Sequence, residues 1–242
     1  MNKLNVLIIS FIFFSLVVKA QNDKADSIEN WKNNSDYCEF LNKDLSSVFM
    51  YESCSYLGIF GDNKYKINIR FDIVEQKNNN IYKVLGRSLL KVKKCDFIGE
   101  LNVESVELHS YSDYNHRICL VAKGSYNFTE SDEKGGMFSG KFRKYFYYYL
   151  QNDSISVDLD FEVSSREGYA GSWKSATSEK DYPCHFGFFR YPGFLAGDFD
   201  QGGEPNIDPK YKAFGWEKYF KQRGDYGSYS NTDCIDKWWL EK

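Results

Sequence analysis

From Tyr56 onward the chain alternates apolar and polar residues with a period of two. In Tyr65-Lys66-Ile67-Asn68-Ile69-Arg70-Phe71-Asp72-Ile73 the odd positions are apolar, so Tyr65, Ile67, Ile69, Phe71 and Ile73 are predicted to share one face of a strand. An Asn-rich turn at 76–80 ends it. Stretches rich in β-branched and aromatic residues predict further strands near 81–90, 97–108, 117–128, 137–150 and 154–163. Their spacing is that of long antiparallel hairpins, one after another. Upstream the period changes. Ile28, Trp31, Cys38, Leu41, Leu45 and Val48 recur at three- and four-residue steps or their sums, which predicts one or two short helices between Asp23 and Phe49. The expected fold is mainly β: an antiparallel meander forming a barrel or a sandwich, with a helical segment over 21–55 and a β domain over 56–242.

One local pattern recurs, with an aromatic residue, any residue, Gly, any residue and then a large apolar residue. It occurs at Tyr56-Gly58-Phe60, Phe97-Gly99-Leu101, Phe138-Gly140-Phe142 and Tyr169-Gly171-Trp173. Residues two apart on a strand face the same way, so each glycine sits between two large side chains. That leaves room for a ring to lie over the backbone and lets the strand coil, as closure of a sheet requires. The other reading is that the glycines open space for a ligand.

All four prolines, Pro183, Pro192, Pro205 and Pro209, fall between residues 183 and 209 among several glycines. Regular structure is expected to fail there, giving a long loop. The loop also carries Phe186, Phe188, Phe189, Tyr191, Phe194 and Phe199, which favours packing over a solvated linker. A short helix is predicted at 217–223, and Trp238-Trp239 are predicted to dock the final segment.

The N-terminus changes the setting. Lys3 precedes an apolar run from Val6 to Val18 that closes on Val18-Lys19-Ala20, the layout of a cleavable export signal over 1–20. The run falls short of the roughly 20 residues that span a bilayer, so no transmembrane segment is expected in the mature chain. The formal charge of −3 becomes more negative when Lys3 and Lys19 leave. With no concentrated basic face, a nucleic-acid partner is excluded. Export also bears on the six cysteines, Cys38, Cys54, Cys95, Cys119, Cys184 and Cys234. They are expected to form a disulfide framework, with Cys38–Cys54 a plausible local staple, because the compartment is oxidising and no C-x-x-C or other ligand spacing favours zinc.

Candidate chemistry is sparse. The loop 197–208 gathers Asp198, Asp200, Glu204 and Asp208, an oxygen cluster that suggests calcium, although Gly202 and Pro209 stand where an EF-hand needs ligands. Asp side chains capping their own turn are the alternative. His185 beside Cys184 suggests a thiol pair, but neighbouring residues on an extended chain point apart and a disulfide is the competing fate of Cys184. Tyr145-Phe146-Tyr147-Tyr148-Tyr149 places rings on both faces of one strand. Phe186, Arg190, Tyr191, Phe194 and Tyr147 are therefore the candidate ligand-binding residues, suited to a glycan or a protein partner.

Tyr56-Leu57-Gly58-Ile59-Phe60-Gly61 before an alternating strand, with Pro183-Cys184-His185-Phe186-Gly187 and Gly202-Gly203-Glu204-Pro205, resembles exported β-rich proteins of Bacteroidota-type bacteria. The resemblance implies a periplasmic or extracellular location and carries no activity or cofactor. A lipocalin- or calycin-like barrel would place Gly-x-Trp on its first strand, whereas here Gly171-Ser172-Trp173 comes late. The reading that follows is a non-catalytic protein binding a ligand or partner through 183–209. The enzyme alternative is a hydrolase of envelope or glycan material, which would need two facing carboxylates.

Overall fold

The strands predicted near 81–90, 97–108, 117–128 and 137–150 form, the described part of the one predicted at 154–163 is a strand only over Ser154–Ser156, and one antiparallel sheet joins them. The computed structural model describes residues 37–50, 54–112, 117–157, 167–187, 199–200, 206–217 and 237–240. The chain divides into two compact units, Met1–Tyr37 and Cys38–Lys242, and the second holds the sheet. Its strands are β1 (Tyr56–Phe60), β2 (Tyr65–Asn78), β3 (Ile81–Leu90), β4 (Lys93–Ser112), β5 (Arg117–Glu130), β6 (Gly136–Tyr149), β7 (Ser154–Ser156), β8 (Gly168–Ser175) and β9 (Asp181–Gly187). Neighbours run β5-β4-β3-β2-β1-β9-β8-β6-β7, and β5 pairs with β6 as well. That last pairing closes the sheet in a ring. β8 pairs with Gly136–Arg143 of β6, and the short β7 takes over beside Tyr147–Tyr149. Closure leaves few unpaired backbone groups at sheet edges.

Closure demands curvature, and bulges and glycines supply it. The β2–β3 register shifts between Phe71 and Ile73, and the β4–β5 register shifts between Val103 and Ser105 and again between Leu108 and Ser110. The first bulge corrects the predicted face. Ile67, Ile69 and Phe71 point inward, but the extra residue Asp72 resets the phase, so Val74 is buried and Ile73 is 40% exposed. Asp72 is held there by Arg87, at 2.7 and 2.9 Å, and by Arg70 at 3.1 Å. In the recurrent motif, rings lie over glycines of the next strand rather than their own. Phe97 pairs with Gly86, and Phe142 with Gly124.

Gly140 and Gly171 face each other across β6 and β8. A Cβ on Gly171 would sit 2.7 Å from the Gly140 Cα, closer than side chains approach a backbone. Gly171→Val is expected to cost about 3 kcal/mol through overpacking, read as a lower urea midpoint. An unchanged midpoint would show that this seam is not closed.

The interior is aromatic. Tyr56, Phe71, Phe128, Tyr169 and Phe186 are almost fully buried. Tyr169 and Phe186 stack at 4.5 Å, and Phe71 meets Phe128 at 5.3 Å. One end of the ring is filled by the N-terminal segment, where the predicted short helices appear as a 3-10 turn (Cys38–Asn42) and α1 (Ser46–Phe49). Phe40 meets Tyr148 at 4.8 Å and Phe49 meets Phe142 at 5.4 Å. The Tyr82 hydroxyl donates to the Lys43 carbonyl at 3.1 Å, and Lys43 pairs with Asp153 at 2.6 Å.

Pro183 does not begin a loop, which corrects the expectation that regular structure fails there. It lies within β9, the strand that closes the ring between β1 and β8. Its carbonyl accepts from the Gly61 amide at 2.7 Å. A strand residue sends its N–H and C=O the same way, so the missing donor points toward β1 just past its last paired residue, Phe60, where no ladder bond is lost. Farther on, β10 (Phe199–Asp200) pairs with β11 (Asn206–Ile207), followed by a 3-10 turn (Pro209–Phe214). Ile207 and Trp216 cover the outward faces of Leu57 and Ile59, so β1 is buried on both sides. Trp238 and Trp239 dock as predicted. The Trp238 indole donates to Ser55 at 3.2 Å, Arg87 donates to the Trp239 carbonyl at 2.6 Å, and the Arg70 guanidinium lies 4.3 Å over the Trp239 ring. The helix predicted at 217–223 lies outside the described residues apart from Glu217. Among the described residues no helix is long and apolar enough to cross a membrane.

Candidate functional site

The end of the ring opposite the N-terminal segment is framed by the β1–β2, β3–β4, β5–β6 and β8–β9 turns. Between them lies a cavity of about 300 Å³. Its walls are Phe60, Tyr65, Phe138, Trp173 and Tyr182 with Ile67 and Leu90, and the buried Ser88 and Cys95 and the half-buried Glu130 also line it. The aromatic wall is itself packed: Phe60 stacks on Tyr182 at 5.5 Å and meets Trp173 edge-on at 5.6 Å.

Glu130, the last residue of β5, is fixed from three sides. It accepts from the Ser88 hydroxyl at 2.8 Å, the Trp173 indole N–H at 3.0 Å and the Gly136 amide at 3.2 Å. An ionised carboxylate has about four acceptor sites, so one remains open. It is also the only carboxylate among the lining residues, which include Lys91, Lys93 and Lys134 at the rim. Lys93 pairs with Asp132 at 2.7 Å, which raises the Lys93 ammonium and lowers the Asp132 carboxyl. Lys91 occupies the two-residue β3–β4 turn with φ of 59°, and its ammonium lies 4.0 Å over the Tyr65 ring. That left-handed backbone costs a lysine roughly 1–2 kcal/mol and normally selects glycine. Burial, aided by Glu130, pushes the Cys95 thiol upward.

A second polar feature lies deeper. The Lys144 ammonium donates to Glu167 at 2.6 Å, with both side chains about 95% buried. Burial alone would lower the Lys144 ammonium, but Glu167 and Tyr56 lift it above its ordinary value. The Tyr56 hydroxyl donates to the Phe49 carbonyl at 3.0 Å, and burial raises its own pKa. The second oxygen of Glu167 has no hydrogen-bond partner. None of these residues lines the mouth cavity. They tie β6, the start of β8 and the N-terminal segment together.

The predicted site residues disperse. Phe186 is fully buried between Tyr169, Tyr56 and Tyr126, so it is core, which corrects its assignment to a ligand surface. Tyr147 points outward but is 4% exposed, packed with Cys119, Val121 and Tyr145 beneath the Arg117 guanidinium at 3.9 Å; it too is covered and offers no stacking surface. Arg190, Tyr191 and Phe194 lie outside the described residues, as do Asp198, Glu204 and Cys234. Only the backbone of Asp200 is described, in the β10–β11 hairpin. Asp208 caps the following 3-10 turn by accepting from the Lys210 amide at 2.9 Å, which is the turn-capping reading for that carboxylate.

The full disulfide framework is also corrected. Cys95, Cys119 and Cys184 are buried thiols. Cys95 faces the mouth from β4, Cys119 lies in the outward cluster on β5, and Cys184 is buried within β9, four strand steps from β4. A disulfide needs Cα atoms within about 7 Å, and these positions lie on different faces or opposite sides of the ring. Cys54 is disulfide-bonded, and its partner is not among the described side chains. Cys184 is fully buried, and burial and then Glu130 push its thiol far up, which disfavours the thiolate that a nucleophile needs. His185, its neighbour, is on the other face with its pKa lowered by burial.

Glu130, Ser88, Lys91 and Tyr182 were missed by sequence reasoning, whereas Phe60, Phe138 and Trp173 belong to the recurrent motif. The signal was there in the motif residues nearest the turns: the last of the motif on β1 and β8 and the first on β6, which runs the other way. Each of these three rings points into the mouth. No family model matches the chain, and no curated protein or solved structure matches it at a significant level.

Proposed function

We propose that the chain is a non-catalytic binding protein that takes a small, largely apolar molecule into the mouth of a lipocalin-like barrel. The observation that supports this best is the cavity of about 300 Å³ with five aromatic walls and a single fixed carboxylate. An apolar concavity with few oriented polar groups is the usual form of a small-molecule site. The proposed binding region is therefore the cavity framed by the β1–β2, β3–β4, β5–β6 and β8–β9 turns rather than the segment 183–209. A hydrolase working by two carboxylates has less support, because Glu130 stands alone in the cavity and Glu167 is committed to Lys144. Export through residues 1–20 to a periplasmic or extracellular setting remains part of the proposal. The disulfide at Cys54 fits it, and Cys119 and Cys184 are buried away from the mouth within the fold.

A thermal-shift screen with small aromatic and aliphatic compounds tests the reading. A ligand present at 100 times its Kd should add about 2.7 kcal/mol to stability, seen as a concentration-dependent rise in Tm. Hits that shift a Leu90→Trp variant, whose added indole would fill the cavity, as much as the unaltered protein would refute the mouth as their site.

A further inference from the structure

We infer that the mouth selects an aromatic anion and holds it in one direction, with its ring between the aromatic walls and its negative group at the lysine rim. This rests on the proposed binding role of the cavity and adds the ligand's charge and orientation. The inner side carries the fixed negative charge of Glu130, which accepts from Ser88, Trp173 and Gly136 and has room for one more donor. The outer edge carries Lys91, Lys93 and Lys134. Lys93 is neutralised by Asp132, while Lys134 carries no ion pair among the described residues. Lys91, in the left-handed position of the β3–β4 turn, places its ammonium 4.0 Å over the Tyr65 ring at the rim. A field that is negative inside and positive outside rejects an anion at the floor and a cation at the edge. A planar molecule of about indole size satisfies both ends, with a ring N–H or hydroxyl donating inward to Glu130 and a carboxylate facing outward.

Three probes with one ring system separate the terms: indole-3-propionate, 3-ethylindole and tryptamine, each titrated by calorimetry and followed through the Trp173 indole N–H in nitrogen-15 NMR spectra. The expected order is indole-3-propionate tightest, by roughly fivefold over 3-ethylindole for exposed charges of this kind, and tryptamine weakest. In Lys91→Gln/Lys134→Gln, both exposed changes, the advantage of indole-3-propionate over 3-ethylindole should vanish. Tryptamine binding as tightly as the anion, or all three binding equally with a shifted Trp173 signal, would overturn the charge selection and leave the cavity as a binding site. An unmoved Trp173 signal with all three probes would overturn both.

Discussion

Replacing Lys144 by Met should cost about 3–5 kcal/mol in unfolding free energy, because it strands Glu167 as an unpaired charge deep in the ring. The loss follows from burial. With both side chains about 95% buried and one Glu167 oxygen already without a partner, no solvent is at hand to take over. The double variant Lys144→Met/Glu167→Leu should regain most of that loss, since removing both charges removes the desolvation cost too. Urea denaturation of the three proteins reads this directly. A single-variant loss under about 1 kcal/mol would mean that the pair is solvated, and that Glu167 does not lock the start of β8 against β6.

Phe186→Ala carries the second large effect, about 3–5 kcal/mol for a fully buried ring. Phe186 stacks on Tyr169 and meets Tyr56 and Tyr126, so the vacated space lies in the middle of the interior and its neighbours are held by their own strands. Binding at the mouth should be unaffected under conditions where the variant is folded. A variant of native stability that binds less ligand would return Phe186 to the role its loop-like sequence context suggested.

The strands were legible because their pattern is local. Ile81–Leu90 was predicted with the limits the structure shows, and the glycine motif indicated a strongly curved sheet. The errors arose where local pattern gives way to pairing. Asp72 reads as one more polar residue in an alternating strand, and only the shift of the β2–β3 register between Phe71 and Ile73 shows that it is the extra residue of a bulge. Pro183 reads as a strand breaker, and only the end of β1 opposite it explains why it is tolerated.

The site was less legible than the fold for the same reason. Glu130 is one glutamate among many until the ring closes and brings Trp173 and Ser88, 43 and 42 residues away, to its two oxygens. The cysteines misled for a related reason. Their even number and the export signal pointed to three bridges, but the closed sheet separates Cys95, Cys119 and Cys184 and buries each as a thiol.

The central claim is that the aromatic mouth of the closed sheet is the binding site. Its most direct test is a titration of the unaltered protein and the Leu90→Trp variant with the fluorescent reporter 8-anilinonaphthalene-1-sulfonate, an aromatic anion. Saturable binding at one site in the first, weakened about tenfold or more in the second at equal thermal stability, is the predicted result, since that ratio corresponds to losing about 1.4 kcal/mol of contact. Equal affinity in the two proteins would contradict it.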